Sequence, residues 1–341
     1  MASASDALEV GDLAQNVERS IAANSLFAPV EREILLVEEN IRATADVDQA
    51  GLSELLDYIV DSGGKRIRPA LTLICGKLHR YNLDLLVPMA AGVEMLHTAT
   101  LVHDDTVDNS TKRRGKPTAA NMWGGGTAIL AGDYLFSQAA ELVARTGNLR
   151  VIRLFARTLM TLCRGELDQI FSSFNNGQSR QGYFRRIGNK TSSLFSTATE
   201  SAGILSEASE EATEALRSYG HNVGMAFQIV DDILDFTADE DKLGKPVASD
   251  LAQGILTLPA ILLNERYPSD SPILGMFRGD DNQRSLELAI DMINNSGIIP
   301  ECYGIARDFA SEACQAVEVF PDSSCRQALF GIADHAVARD T

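Results

Sequence analysis

The sequence predicts an all-α protein, a single large helical bundle, and three observations carry that expectation. Apolar residues recur at spacings of three and four through most of the chain, as in Val30, Ile34, Leu35 and Ile41 or Leu149, Ile152, Leu159 and Leu162. No segment shows the alternation of apolar and polar residues that marks a half-buried strand. The periodic segments are separated only by short turn clusters: Ser62-Gly63-Gly64, Arg114-Gly115-Lys116-Pro117, Gly124-Gly125-Gly126, Asn175-Asn176-Gly177, Gly244-Lys245-Pro246 and Pro268-Ser269-Asp270. This punctuation divides the chain into about ten to thirteen helices. Neither a biased linker nor a fixed-period repeat separates two halves, so residues 1–341 are expected to form one domain, with the first ten residues frayed.

Charge excludes several function classes. Against 30 basic residues stand 47 acidic ones, a net charge of −17, so no broad attraction for nucleic acid or anionic lipid is expected. An anionic substrate must then be held locally. The five cysteines, Cys75, Cys163, Cys302, Cys314 and Cys325, show no CxxC or Cys/His zinc spacing and read as free thiols of a reducing cytoplasm. The opening MASASDALEVGDLAQ has neither an Arg-rich nor an apolar leader character. No apolar run is expected to reach the roughly 18 to 20 residues of a membrane span.

Taken in order, the elements place chemistry at their ends. Gly63-Gly64-Lys65-Arg66-Ile67-Arg68-Pro69 joins a glycine turn to three bases at a helix start, where Arg68 can grip a phosphate through two hydrogen bonds. The next segment, from Val87 to Leu101, is apolar on more than one face, as a central helix of a bundle would be. It runs into His103-Asp104-Asp105-Thr106-Val107-Asp108. On a helix Asp104, Asp108 and Asp105 fall at about 0°, 40° and 100°, within one arc. Acids so spaced repel one another, and at a helix C-terminus they also oppose the macrodipole. A divalent cation removes both costs; a solvated helix end is the plain alternative. A basic turn, Lys112 to Pro117, follows, itself readable as a solvated loop. After the apolar segments Ala128 to Leu142 and Leu149 to Leu162, the acidic pattern returns as Asp231-Asp232-Ile233-Leu234-Asp235. Two such clusters on separate helices can face each other and offer six carboxylates. All-oxygen ligands working with phosphate oxygens select Mg²⁺ over zinc or copper.

GGKRIRP, LVHDDTVDNSTKRRGKPT, GDYLFSQA, RGELDQ, GNKTSSLF, GMAFQIVDDILDF and GKPVASDLAQG occur in this order from about Asp61 to Pro259. In this the chain resembles the trans-type polyprenyl diphosphate synthases. The resemblance implies an isoprenoid synthase bundle with a central active-site cavity, and Mg²⁺ ions, three per site, held by Asp104, Asp105, Asp108, Asp231, Asp232 and Asp235. It further implies that Arg113, Lys190 and Lys245 contact the allylic prenyl diphosphate beside Thr191 and Gln228. Lys65, Arg68, His97 and Arg114 then form a metal-free site for isopentenyl diphosphate, although a lone histidine such as His97 is also an ordinary core residue. Two departures stand out: Ile255 replaces a frequent family lysine, and Ser249 a glycine.

The implied reaction is head-to-tail condensation. Asp104, Asp108, Asp231, Lys190 and Lys245 serve the departing diphosphate, and no protein nucleophile is needed. A terpene cyclase has no second diphosphate to bind, which disfavours that rival; a non-catalytic partner subunit would not need both acidic clusters. A homodimer is expected from the family and from the apolar Ala128 to Leu142. One turn before the first cluster stand Ala99 and Thr100, neither aromatic. A short-chain enzyme would block its tunnel there, so an all-trans product of about seven to ten isoprene units is expected, with Met95, Leu96 and Phe155 as its floor. Farnesyl or geranylgeranyl diphosphate synthesis is the alternative.

Overall fold

The computed structural model describes residues 25–238, 247–279 and 282–339. The first ten residues and Lys245 lie outside them. Among the described residues there are sixteen α-helices. The excess over the sequence expectation comes from short pieces such as Ala119–Trp123, Ser249–Ala252 and Pro272–Arg278, too brief to show a periodicity.

The helices that matter for function are α1 (Glu31–Ala43), α2 (Ala50–Val60), α3 (Ile67–Lys77), α4 (Leu83–Val107), α5 (Ala119–Trp123), α6 (Gly125–Ala144), α7 (Leu149–Ser172), α8 (Arg180–Ile187), α9 (Ser193–Leu205) and α10 (Glu210–Thr237). A π turn, Gly188–Ser192, joins α8 to α9. Beyond α10 lie α11 (Ser249–Ala252), α12 (Leu258–Arg266), α13 (Pro272–Arg278), α14 (Asn282–Asn295), α15 (Ile298–Val317) and α16 (Ser324–Ala338).

Helix α4 starts at Asn82, whose side chain accepts a hydrogen bond from the Asp84 amide at 3.1 Å. It then runs through the centre of the bundle, with Met89, Ala90, Val93, Met95, Leu96 and Ala99 fully buried. Gly92 lets α6 pass close, since a Cβ there would lie 2.8 Å from Val143 Cγ2 and 3.1 Å from the Ala139 carbonyl. Gly220 does the same between α10 and α9: a Cβ would stand 2.6 Å from the Phe195 carbonyl oxygen. These two close crossings fix the helices that carry the acidic clusters.

Leu83–Val107 is long and apolar enough to cross a membrane, contrary to the sequence expectation, yet 72% of its most apolar stretch is buried against protein. Its apolar character serves the core. Two other expectations are corrected. Leu35 and Leu149 follow the helical spacing but are 39% and 60% exposed, so the apolar stripe alone overstated the buried face. The turn after α4 is a small antiparallel ribbon, β1 (Lys112–Arg113) against β2 (Lys116–Pro117), with Arg113 opposite Lys116. Arg114 and Gly115 both take positive φ, 50° and 78°, the conformation that closes a two-residue hairpin.

Candidate active site

A cavity of about 1080 Å³ opens between α3, α4, α7, α9 and α10. Asp104 and Asp108 from the end of α4, and Asp231 from α10, line it. A side chamber of about 440 Å³ shares these three acids and adds Asp232.

The remaining acids of each cluster are held by protein partners. Asp105 accepts both contacts of Arg113 Nε, at 2.8 and 2.9 Å. Buried Asp235 accepts from Ser249 Oγ at 3.0 Å and from the Asp250 amide at 3.3 Å. Asp232 accepts from the Tyr183 hydroxyl at 2.7 Å and from Gln228 Nε2 at 2.8 Å. The six carboxylates are thus divided between cavity-facing and braced groups. Among the described residues no three metal-binding side chains converge into a complete cage. A hard cation that keeps water and takes phosphate oxygens fits such a donor set better than one needing an all-protein shell.

Cations line the same cavity. Lys190, carried by the π turn, donates to Glu166 at 2.8 Å. Burial would lower its pKa, but Asp104 and Glu166 outweigh that and raise it, so the ammonium is secured. Burial raises the Asp104 carboxyl; Lys190 opposes the rise and Asp108 adds to it. Thr191 donates to the Gln228 side-chain carbonyl at 2.6 Å. π turns place neighbouring residues out of helical register, here bringing Lys190 and Thr191 to the cavity together.

Lys65, Arg68, Arg114 and His97 share another part of the wall. Arg68 is stacked over the Phe195 ring at 4.3 Å, and its buried Nε has no hydrogen-bond partner. Burial pushes its pKa down to about 10, leaving it charged at neutral pH. His97 is held well below its ordinary value by burial and by Arg68 and Arg114, so it is a neutral imidazole. Arg66, not among the expected site residues, takes φ 49° between them and pairs with buried Glu38 and with Glu94, 3.0 Å away. That triad fixes the turn on which Lys65 and Arg68 stand.

Thr100 lines the cavity with Phe136, Leu159, Leu162 and Cys163, whereas Ala99 is fully buried outside it. Met95, Leu96 and Phe155 also belong to the core and do not line the cavity, whose apolar lining comes in part from Phe136 of α6 and Leu159 and Leu162 of α7. Sequence reasoning also missed Glu166 and Arg339. Glu166 stood within the quoted RGELDQ segment; Arg339 reaches Asp231 from 108 residues away and has no local signal.

Burial, with Asp250 adding to it, pushes the Asp232 carboxyl from 3.8 up to about 7, against the bonds from Tyr183 and Gln228. A carboxyl raised in the folded state costs stability as it ionises, so the metal-free protein loses that contribution as pH rises through this window. Relative to wild type in EDTA, Asp232→Asn should therefore gain in Tm as pH rises from about 4 to about 7 and hold that gain above it. Thermal melts showing a pH-independent gap would remove this assignment.

The profile of the Polyprenyl synthetase family matches residues 49–293. A Synechocystis protein named prenyl transferase is 34% identical over 324 residues, spanning 94% of this chain and 99% of its own length. Heptaprenyl diphosphate synthase component 2 of Bacillus subtilis is 35% identical over 303 residues, covering 89% of this chain and 87% of that protein. A solved polyprenyl synthase from Caulobacter crescentus, complexed with calcium and isoprenyl diphosphate, has a TM-score of 0.88 at 34% identity, over 93% of this chain and 97% of the other. On a profile match across most of its length and relatives this similar from end to end, the chain belongs to the polyprenyl synthetase family and is a prenyltransferase of the all-α isoprenoid synthase fold.

Proposed function

We propose that this single-domain enzyme condenses isopentenyl diphosphate repeatedly onto an allylic prenyl diphosphate and releases a long all-trans polyprenyl diphosphate. One observation carries the reading: the same 1080 Å³ cavity is lined by the acids and bases and by Thr100, Phe136, Leu159 and Leu162. The heptaprenyl name of the Bacillus relative supports the long product.

Asp104, Asp108 and Asp231 would hold Mg²⁺, three ions per site, against the allylic diphosphate, with Asp232 at the side chamber and Asp105 and Asp235 bracing the two helix ends. Bound there, the ions would supply positive charge for the diphosphate that departs as the allylic C–O bond ionises. Lys190 and Arg113 bind the same leaving group, beside Thr191 and Gln228; Lys245 is assigned there by resemblance alone. Lys65, Arg68 and Arg114 hold isopentenyl diphosphate, whose double bond attacks the allylic carbon; the released diphosphate then takes the proton lost from the new cation, which restores a double bond. Neutral His97 can donate one hydrogen bond without adding charge. Apolar walls keep water from the cation formed on ionisation.

The chain is proposed to act as a cytoplasmic homodimer. Exposed Ile129 and Leu130 on α6 and Met160 and Phe171 on α7 supply apolar surface for that contact. The component 2 name of the Bacillus relative motivates a second reading, in which activity needs a different subunit. The purified chain with Mg²⁺, isopentenyl diphosphate and an allylic primer should release diphosphate, stop in EDTA, and scatter light as a dimer. Activity appearing only on adding a second protein would favour the other reading, and full activity in EDTA would sink the metal assignment.

A further inference from the structure

Arg339 follows the last helix, α16, and only 4% of its side chain is exposed. Its Nη1 donates to Asp231 Oδ1 at 2.9 Å and its Nη2 to the Phe227 carbonyl at 2.8 Å. The guanidinium carbon lies 3.5 Å from the centre of the Phe227 ring. Three features therefore hold Arg339 without help from Asp231: burial, the carbonyl and the ring. Asp231 is placed differently, with 41% of its side chain still open to the cavity. Lys65 and Arg68 share that wall, so the carboxylate faces cations on the protein side and open space on the other.

We propose that Arg339 is a positioning residue that makes cation binding at Asp231 depend on a bound diphosphate. The proposal rests on the reading of Asp231 as a metal ligand. A guanidinium fixed on one oxygen orients the carboxylate and cancels most of its charge. A divalent ion approaching the other side meets a nearby like charge that burial screens poorly. In the free protein such an ion binds Asp231 weakly. A diphosphate supplies both the missing negative charge and further oxygens, and the site then fills. The C-terminal end of the chain would in this way couple metal occupancy to substrate.

The test is Mn²⁺ binding to the full chain without diphosphate, followed by electron paramagnetic resonance. The component that depends on Asp231 is defined as the part lost in Asp231→Asn. Arg339→Gln should tighten that component about tenfold, a change equivalent to about 1.4 kcal/mol, while Arg339→Lys keeps the wild-type affinity. Should Arg339→Gln fail to fold, Arg339→Met retains the stem's packing without the charge and should give the same tightening. Unchanged or weaker Mn²⁺ binding in the folded neutral variant overturns the proposal. No loss of Mn²⁺ in Asp231→Asn even with inorganic diphosphate present instead overturns the underlying ligand assignment, so the two failures are distinguishable.

Discussion

Replacing Asp104 or Asp231 by asparagine is expected to lower kcat by about 10³-fold at saturating Mg²⁺, the scale on which loss of a directed electrostatic contact slows a charge-separating step. Both carboxylates face the cavity, and the amide of asparagine, built on the same two side-chain carbons, preserves their volume. The variants should part company in stability. Asp104 is raised by burial and crowded by Asp108, so neutralising it leaves Tm unchanged or higher. Asp231→Asn strips buried Arg339 of its ion pair and should lower Tm by several degrees, since a buried charge without its partner is costly. Initial rates and circular-dichroism melts on the same preparations separate the two effects. Activity within tenfold of wild type in either variant would show that its carboxylate does not act at the reacting diphosphate.

Thr100→Phe is expected to shorten the product from about seven to ten isoprene units to three or four, because each retained unit needs apolar wall to bury against. Thr100 lies one turn before Asp104, on the wall, and its hydroxyl donates back to the His97 carbonyl at 2.7 Å. An aromatic ring there takes up space in the cavity that Leu159, Leu162 and Phe136 also line. Ala99 gives a control that the sequence could not distinguish from Thr100. It is packed in the core, so Ala99→Phe should overfill the α4 packing and lower stability by roughly 1–3 kcal/mol without setting product length. Chromatography of the dephosphorylated products reads the outcome. Unchanged length in Thr100→Phe, or a shortened product from a stable Ala99→Phe, would reverse this account of the tunnel.

The contrast between these neighbours shows where a sequence stops being legible. The helical class was readable because three- and four-residue spacing persists over long segments, and both acidic clusters because their spacing sits at the ends of such segments. The division of labour inside each cluster was not readable. Asp104 and Asp105 differ by one position, but only the ribbon formed by β1 and β2 brings Arg113 onto Asp105. Likewise Asp235 is claimed by Ser249 and Asp250, which approach it through the tertiary fold. Leu149 has the right period but lies on the outer face of α7, because period identifies a stripe without saying what covers it. Arg339 was invisible for the plainest reason: contacts across 108 residues leave no pattern in a local window.

Both acidic clusters sit at the C-terminal ends of their helices, where negative charge works against the peptide dipoles. Such an arrangement divides the acids by what would preserve them through divergence. Asp105 and Asp235 are tied into the fold by Arg113 and Ser249, so a descendant would retain them for the sake of its structure alone. Asp104 and Asp108 crowd each other at the cavity, and on the role proposed for them their retention would depend on turnover. A lineage released from catalysis would accumulate replacements first at Asp104 and Asp108 while keeping the braced pair. Counting acids in the two clusters would then overestimate which descendants are still enzymes; their positions within each cluster carry the information.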